Sequence, residues 1–559
     1  MMSPLDDDIR VVVGIDFGTT YSGYAYAHKS NPEEIIVKVD WSELEHHYKT
    51  PTVIKYEDKS YNVVKSWGLS ALAEKPSNKK KTSDSSIPIE LFKLHLIKGL
   101  SNEKPFLPEG LDCKKAITDY LKILTEMVKS SCINSWQNLD FFRQVLIILA
   151  VPAEFDDDAI STMRECAFNA GLTEDKFSRN LKFTTEPEAA AVYCLNSMKY
   201  NLNTGASFMT VDCGGGTVDL TTRQLLDGNK MGEVTERTGD NCGSSFVDQE
   251  FVKFLGRKLG KSVIENLKKD HYGLLQYIVQ EFCRRVKFQF SGQQSDFQPF
   301  DIDLDEYKLI KQYVTGEEKN RMEESDWFIE IEFEEIKAMF DPVIGRIIRL
   351  IRGQLEKNDK KCSALMLTGG FSESRYLQAR IKREFGKIVP NISVPIHPII
   401  AIIKGGVQFG FQEERVVNRV LKRTYGTDIA RVSQPDDPPS EKFPNGLTVI
   451  FEALVKRGEQ VPANNKVVKT FIPCSLMQKK IGFNMYVTEN TDAKFCNDPG
   501  VSLLRNWEIE LPEIKNIEDI EDVEDTIISF TLSFGTVEIL ATAENQKAGT
   551  KYHVSFKCE

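Results

Sequence analysis

The sequence predicts an α/β unit built of two similar halves, followed by an all-β sandwich. Three observations carry this. An apolar strand ending in aspartate, then glycine, then threonine occurs twice, as D-F-G-T-T from Asp16 and D-C-G-G-G-T from Asp212, about 200 residues apart. Continuous apolar runs alternate with helical periodicity around both copies. After Gly410 the pattern changes to short strand candidates at regular spacing.

At 559 residues the chain exceeds what one core covers, so about two to four folding units are expected. Hydrophobic residues at 41% and charged residues at 27% are the composition of a globular protein. The net charge of -11 argues against a surface tracking nucleic-acid phosphates. It leaves room for a nucleotide met by a metal ion and a few local donors. Eleven cysteines, with no C-x-x-C pair and no zinc-like spacing, read as reduced, packed thiols. The acidic start M-M-S-P-L-D-D-D is not a secretory signal, and no run approaches the ~18 apolar residues of a membrane span. A cytoplasmic protein with no membrane insertion and no nucleic-acid partner is expected.

In chain order, residues 1–9 form a tail, and Val11 to Ile15 read as a buried strand. The turn Asp16 to Gly23 follows before Tyr24-Ala25-Tyr26-Ala27 resumes alternation, giving a hairpin. Residues 75–88, with Lys79, Lys80 and Lys81, read as a solvated loop. Lys93, flanked by apolar residues, either snorkels from an element edge or reaches a terminal phosphate. Helical spacing over 114–132 leads to the strand Val145 to Val151, then to a helix near 156–170 opened by Asp156, Asp157 and Asp158 and closed by Gly171. Glu186 falls where a strand meets a helix, with Pro187 in its first turn.

The second hairpin, V-D-C-G-G-G-T-V-D-L, starts at Val211. Backbone N–H groups approach a polyphosphate closely only where no Cβ intervenes, so Gly214, Gly215 and Gly216 suit a phosphate cradle; they also suit an ordinary structural turn. Asp212 ends a strand, where it could hold a hydrated divalent cation, and Thr217 could donate to a phosphate oxygen. Two such hairpins could grip a nucleotide from both sides. Residues 296–335 read as a small mixed subdomain with an exposed insertion near 315–325, and 334–357 as an amphipathic helix. Strand candidates then recur at 447–455, 466–473, 481–488, 501–510, 526–533, 536–543 and 551–557, with an acidic loop from Glu518 to Asp525.

The order of G-I-D-F-G-T-T-Y-S, V-P-A-E-F-D-D-D, T-E-P-E-A-A-A, V-D-C-G-G-G-T-V-D, T-G-D-N-C-G and L-T-G-G-F-S-E-S resembles the nucleotide-binding domain of the 70-kDa heat-shock protein family. G-G-F-S-E-S and R-V-L-K-R-T-Y-G resemble its divergent branch containing heat-shock 70 kDa protein 12. The resemblance implies an actin-like two-lobed ATPase domain of duplicated ribonuclease-H-like halves over residues 10–412. It implies a β-sandwich over 413–559 that binds peptide or protein; the family's helical lid is expected to be missing, since the sequence stops at Glu559 directly after the sandwich.

Carried over by motif, Asp16, Asp212 and Asp219 surround Mg²⁺ and its waters, with K⁺ a further candidate ion. Gly18, Thr19, Thr20 and Tyr21 form the first phosphate loop, and Gly214, Gly215, Gly216 and Thr217 the second. Glu186 and Lys93 orient the attacking water and the γ-phosphate of ATP, while Gly243, Lys287, Ser291, Gly369, Gly370 and Ser372 face ATP or ADP. The chain departs from the family where Arg284 replaces a glutamate, Phe288 a basic residue, Ser244 a glycine and Ile399 an aspartate. Arg284 either stacks on the base or pairs with a neighbouring acid.

K-R-G-E-Q-V-P at Lys456, F-G-T-V-E-I at Phe534 and Ala548-Gly549 resemble the family's β-type substrate-binding domain. The family's leucine-rich linker is not visible in V-V-N-R-V-L-K-R-T-Y from Val416. The implied function is a slow ATPase acting as a chaperone on unfolded clients, with co-chaperones or nucleotide-exchange factors as partners. A nucleotide-gated scaffold without turnover and a small-molecule kinase of the same fold are the competing readings.

Overall fold

The computed structural model describes residues 8–41, 46–73, 87–98, 105–197, 202–358, 361–463, 465–471, 480–510, 527–534, 537–545, 551–552 and 555–557. The lysine loop at Lys79, the acidic stretch at Glu518, Gly535-Thr536 and Ala548-Gly549 lie outside them. The chain divides into two compact units, one of residues 1–225 and 237–415, the other of 226–236 and 416–559.

The first unit contains the same strand arrangement twice. Strand Val11–Phe17 pairs antiparallel with Tyr21–His28 and parallel with Val145–Val151, which pairs parallel with Leu181–Thr185; helix Glu186–Ser197 follows at once. In the second half, Ser207–Cys213 pairs antiparallel with Val218–Leu226 and parallel with Cys362–Thr368, which pairs parallel with Asn391–Ser393; helix Ala401–Phe411 closes that half. The central strands are buried along their whole length, which explains why they read as unbroken apolar runs.

Small residues let the two halves meet closely. A Cβ on Gly405 would lie 1.8 Å from the Ala189 carbonyl oxygen, and one on Gly14 would lie 2.3 Å from that of Ile403. Helix Ala401–Phe411 therefore packs against both Val11–Phe17 and Glu186–Ser197, and G-G in one helix answers A-A-A in the other. The expected helices form at Cys113–Ser135, at Asp157–Asn169 with Asp156 capping the Ala159 N–H, and at Phe333–Glu356. Residues 300–331 form the hairpin Phe300–Asp303 with Phe328–Ile331, and helix Gly316–Glu324 buries only Met322. The nine described cysteines are free thiols. Among the described residues no helix is long and apolar enough to cross a membrane.

The second unit holds two sheets. Strands Leu447–Val455, Thr424–Val432, Lys480–Thr488, Ser502–Glu510 and Ser555–Lys557 form one; Lys466–Phe471, Ile528–Ser533, Leu540–Asn545 and Lys551–Tyr552 form the other. Phe483, Met485, Trp507 and Ile509 from the first share a core with Phe530 and Leu532 from the second, and the Phe483 and Phe530 rings stack at 5.6 Å. Val416–Val420, where no linker was legible, is a strand paired parallel to Lys230–Glu233 and antiparallel to Gln460–Pro462. Glu233 accepts from the Val420 N–H at 2.8 Å, and Arg457 pairs with Glu236 at 3.0 Å.

Candidate functional site

The duplicated hairpins end at the same place. In the first, Asp16 pairs with Gly23 in register, and Thr52 Oγ1 donates to the Gly18 carbonyl at 2.8 Å. In the second, Asp212 lies opposite Asp219, and the Gly214 N–H donates to the Thr217 carbonyl at 3.0 Å. The turn at Gly214 to Gly216 is stapled from outside: the N–H groups of Gly243, Ser244 and Ser245 donate to Gly216, Gly214 and Gly215 at 3.1, 3.0 and 2.8 Å. Ser244 makes its bond at φ -66, so its place needs no glycine.

The two turns touch. A Cβ on Gly215 would lie 1.8 Å from Thr20 Oγ1, and one on Gly216 would lie 2.6 Å from Thr19 Cγ2. Thr19 and Thr217 are buried beside this contact. Glycine is thus demanded by the facing hairpin, a requirement the sequence of either hairpin alone did not show.

Four carboxylates gather beneath the turns. Asp16, Glu186, Asp212 and Asp219 are all buried. Burial pushes the Asp212 carboxyl well above its ordinary range, helped by the charges of Glu186, Asp16 and Asp219. Asp219 is pushed up by burial and then by Glu186 and Glu154, although the Ala153 N–H donates to its Oδ1 at 3.0 Å. Glu186, in the first turn of its helix, is also raised by burial, against the lowering effect of Lys93. Lys93 is 1% exposed, so it does not snorkel. Its Nζ donates to Glu186 Oε1 at 2.8 Å and to the Phe17 carbonyl at 2.5 Å, from a short 3-10 turn entered through Leu91 at φ 57.

These residues fit a hydrated divalent cation. Asp16 Oδ1 and Asp219 Oδ2 are buried with no hydrogen-bond partner, which crowded carboxylates tolerate where a cation and its waters satisfy them. Among the described residues no three His, Cys, Asp or Glu side chains form a ready-made direct-ligand cluster.

The adenosine-side residues are more dispersed. Gly369, at φ 80, packs against the second hairpin, where a Cβ would lie 2.7 Å from Asp212 Oδ1; Thr368 Oγ1 bonds that oxygen at 3.2 Å. The Gly370 position faces Ile399, whose Cδ1 would lie 3.7 Å from a Cβ there. Ser372 is buried and donates to the Thr368 carbonyl at 2.6 Å, so its hydroxyl is spent on its own turn. Lys287 is buried and paired with Asp248 at 2.7 Å. Ser291 caps its own loop, accepting from the Gln293 N–H at 3.1 Å. Arg284 pairs with Glu281 at 2.7 Å. A cavity of about 810 Å³ opens beside the first hairpin, its lining including Thr19, Thr20, Tyr21, Glu90, Asp248 and Lys287.

Two residues at the site carried no sequence signal. Lys49 pairs with Asp16, and Glu373, in the longer turn F-S-E-S, has its carboxyl raised by burial and lowered by His397 and Lys49. Lys49 precedes Thr50–Pro51, which pairs with Tyr21 and Ser22, and that pairing helps bring it to the site.

No protein-family model matches the chain. It is 26% identical to heat shock 70 kDa protein 12A of Mus musculus, over 95% of this chain and 89% of that protein. It is 24% identical to heat shock 70 kDa protein 12B of Homo sapiens, over 97% and 90% respectively. Chaperone protein DnaK of Mycoplasmopsis synoviae is 24% identical over 72% of this chain and 59% of that protein. The similarity runs along almost the whole chain, which thus resembles the 70-kDa heat-shock proteins, with heat shock 70 kDa proteins 12A and 12B among its most similar relatives.

Proposed function

We propose that the chain binds ATP and ADP with Mg²⁺ between the two hairpins, hydrolyses ATP slowly, and uses its nucleotide state to modulate peptide or protein binding by the C-terminal unit. The carrying observation is the direct apposition of Gly215 and Gly216 with Thr20 and Thr19 above four buried carboxylates. The relatives are named as heat shock and chaperone proteins, which supports a chaperone-like role. In this reading residues 10–412 are an actin-like ATPase domain and 413–559 a β-sandwich that takes an extended peptide. Unfolded clients, co-chaperones or nucleotide-exchange factors are its partners in the cytoplasm.

The chain's own groups divide the work by position. Thr19, Thr20 and the Gly214–Gly216 backbone hold phosphate oxygens, and Asp16, Asp212 and Asp219 would hold the hydrated Mg²⁺. The ion supplies charge neutralisation on the phosphate oxygens. Lys93 adds a second positive charge and fixes the Glu186 carboxylate, which with Thr217 orients water. Single-turnover hydrolysis tests this: Lys93→Ala and Glu186→Gln should each slow phosphate release by ~10²-fold or more. A wild-type rate equal to that of both variants would remove the ATPase assignment.

A nucleotide-gated scaffold without turnover is the second reading. It is favoured by Ile399, which faces Gly370 with no polar atom, and by Ser372, whose hydroxyl is held by Thr368. Saturable ATP binding with no phosphate release above background would select it.

A further inference from the structure

Lys49 is a cation built into the acidic centre of the clamp. Its side chain is 7% exposed, and its Nζ pairs with Asp16 Oδ2 while Asp16 Oδ1 stays without a partner. Its charge also acts on Glu186, Asp212 and Glu373. The lysine is tied to the first hairpin by construction. Thr50–Pro51 pairs with Tyr21–Ser22, the Thr52 N–H donates to the Thr20 carbonyl at 2.8 Å, and a Cβ on Gly23 would lie 2.9 Å from Lys49 Cγ. Gly23 therefore leaves the space through which Lys49 reaches Asp16.

The charge balance gives this placement a consequence. Asp16, Glu186 and Asp212 feel the ammonium groups of Lys49 and Lys93, with Asp219 adding a further like charge to Asp212. Lys93 is committed to Glu186, whereas Lys49 pairs with Asp16 and offsets the charge of Asp212. A fixed ammonium at hydrogen-bond distance from Asp16 competes with a divalent cation for that carboxylate, and it presents positive charge to a polyphosphate when no metal is present.

We propose that Lys49 is a resident counter-charge of the phosphate clamp, taking over part of the neutralising role of the divalent cation, so that nucleotide binding depends only weakly on metal. This rests on the nucleotide reading above and adds the identity of the charge that sets its metal requirement.

The test uses the full chain titrated with ATP in excess Mg²⁺ and again in EDTA, and with Mn²⁺ alone in the absence of nucleotide. Wild-type affinity for ATP should fall less than about tenfold on removing the metal, whereas Lys49→Met should lose about a hundredfold or more. Lys49→Arg, which keeps the charge, should retain the wild-type ratio. Mn²⁺ alone should bind Lys49→Met about tenfold more tightly than wild type, because Asp16 is released. A wild-type loss in EDTA of a hundredfold or more overturns the proposal while leaving nucleotide binding intact, and it does so even where the methionine variant is unstable. ATP binding in neither medium overturns the nucleotide reading and the proposal together.

Discussion

Replacing Gly215 with alanine probes the contact that makes two hairpins into one clamp. The new Cβ would lie 1.8 Å from Thr20 Oγ1 and 2.8 Å from both Thr20 Cβ and Cγ2. Rotating Thr20 moves its oxygen but not its Cβ, and carbon pairs need about 3.5 Å. The hairpins must part by something approaching 1 Å, and overpacking of this kind costs about 1–3 kcal/mol. If that strain is released by opening the clamp, affinity for Mg-ATP falls by roughly five- to 150-fold. Calorimetric titration and a thermal melt measure both sides of the effect. Gly353→Ala is the control: it lies inside helix Phe333–Glu356 with nothing within 4 Å of its Cβ, and should stabilise by about 0.5–1 kcal/mol. Adding Thr20→Ala removes the clashing oxygen and methyl carbon and should restore part of the melting temperature, while ATP affinity, which also uses the Thr20 hydroxyl, stays reduced. Unchanged affinity and melting temperature in Gly215→Ala would refute the idea that the turns are pre-set against each other.

Other perturbations follow from the buried charges. Asp212→Asn removes a carboxylate raised by burial and three like charges, so the ligand-free protein should melt higher while the stabilisation by Mg-ATP is largely lost; a lower melting temperature without ligand would contradict this. Glu188 and Arg223 pair at 2.9 Å with both side chains fully buried, so Glu188→Gln should cost about 3–5 kcal/mol in denaturant unfolding, and a loss under about 1 kcal/mol would contradict it. Glu90 is pushed up to about 7 from 4.5 by burial and then by Asp248. Between those values the unfolded chain has released this proton and the folded chain has not, so its contribution to stability falls as pH rises. Glu90→Gln should therefore gain melting temperature relative to wild type as pH rises from about 4.5 to about 7, and a constant difference would refute the assignment.

Much of the fold was legible because its periodicities are strong. Val145–Val151 is apolar at every position and is buried at every position, and Leu447–Val455 is bounded by turn residues at both ends. Asp16 and Asp212 stood out because strand, carboxylate and glycine recur in one order, and the paired registers Asp16 with Gly23 and Asp212 with Asp219 show what that order builds. Residues whose role depends on a distant partner were not legible. Lys49 has no local pattern and acquires its place from Thr50–Pro51 pairing with Tyr21–Ser22. Lys230–Glu233 reads as an ordinary short segment, yet it pairs with Val416–Val420, far along the chain. Arg284 carried two roles at the sequence level because a polar side chain can face a ligand or pair with a neighbour; it pairs with Glu281, and Ser372, read as facing the nucleotide, donates to the Thr368 carbonyl of its own turn.

The most direct test of the central claim is calorimetric titration of the full chain with Mg-ATP and with Mg-ADP. The account predicts saturable binding of one nucleotide per chain, weakened at least about fivefold by Gly215→Ala. Absence of binding by both nucleotides, in protein that melts cooperatively, would contradict it.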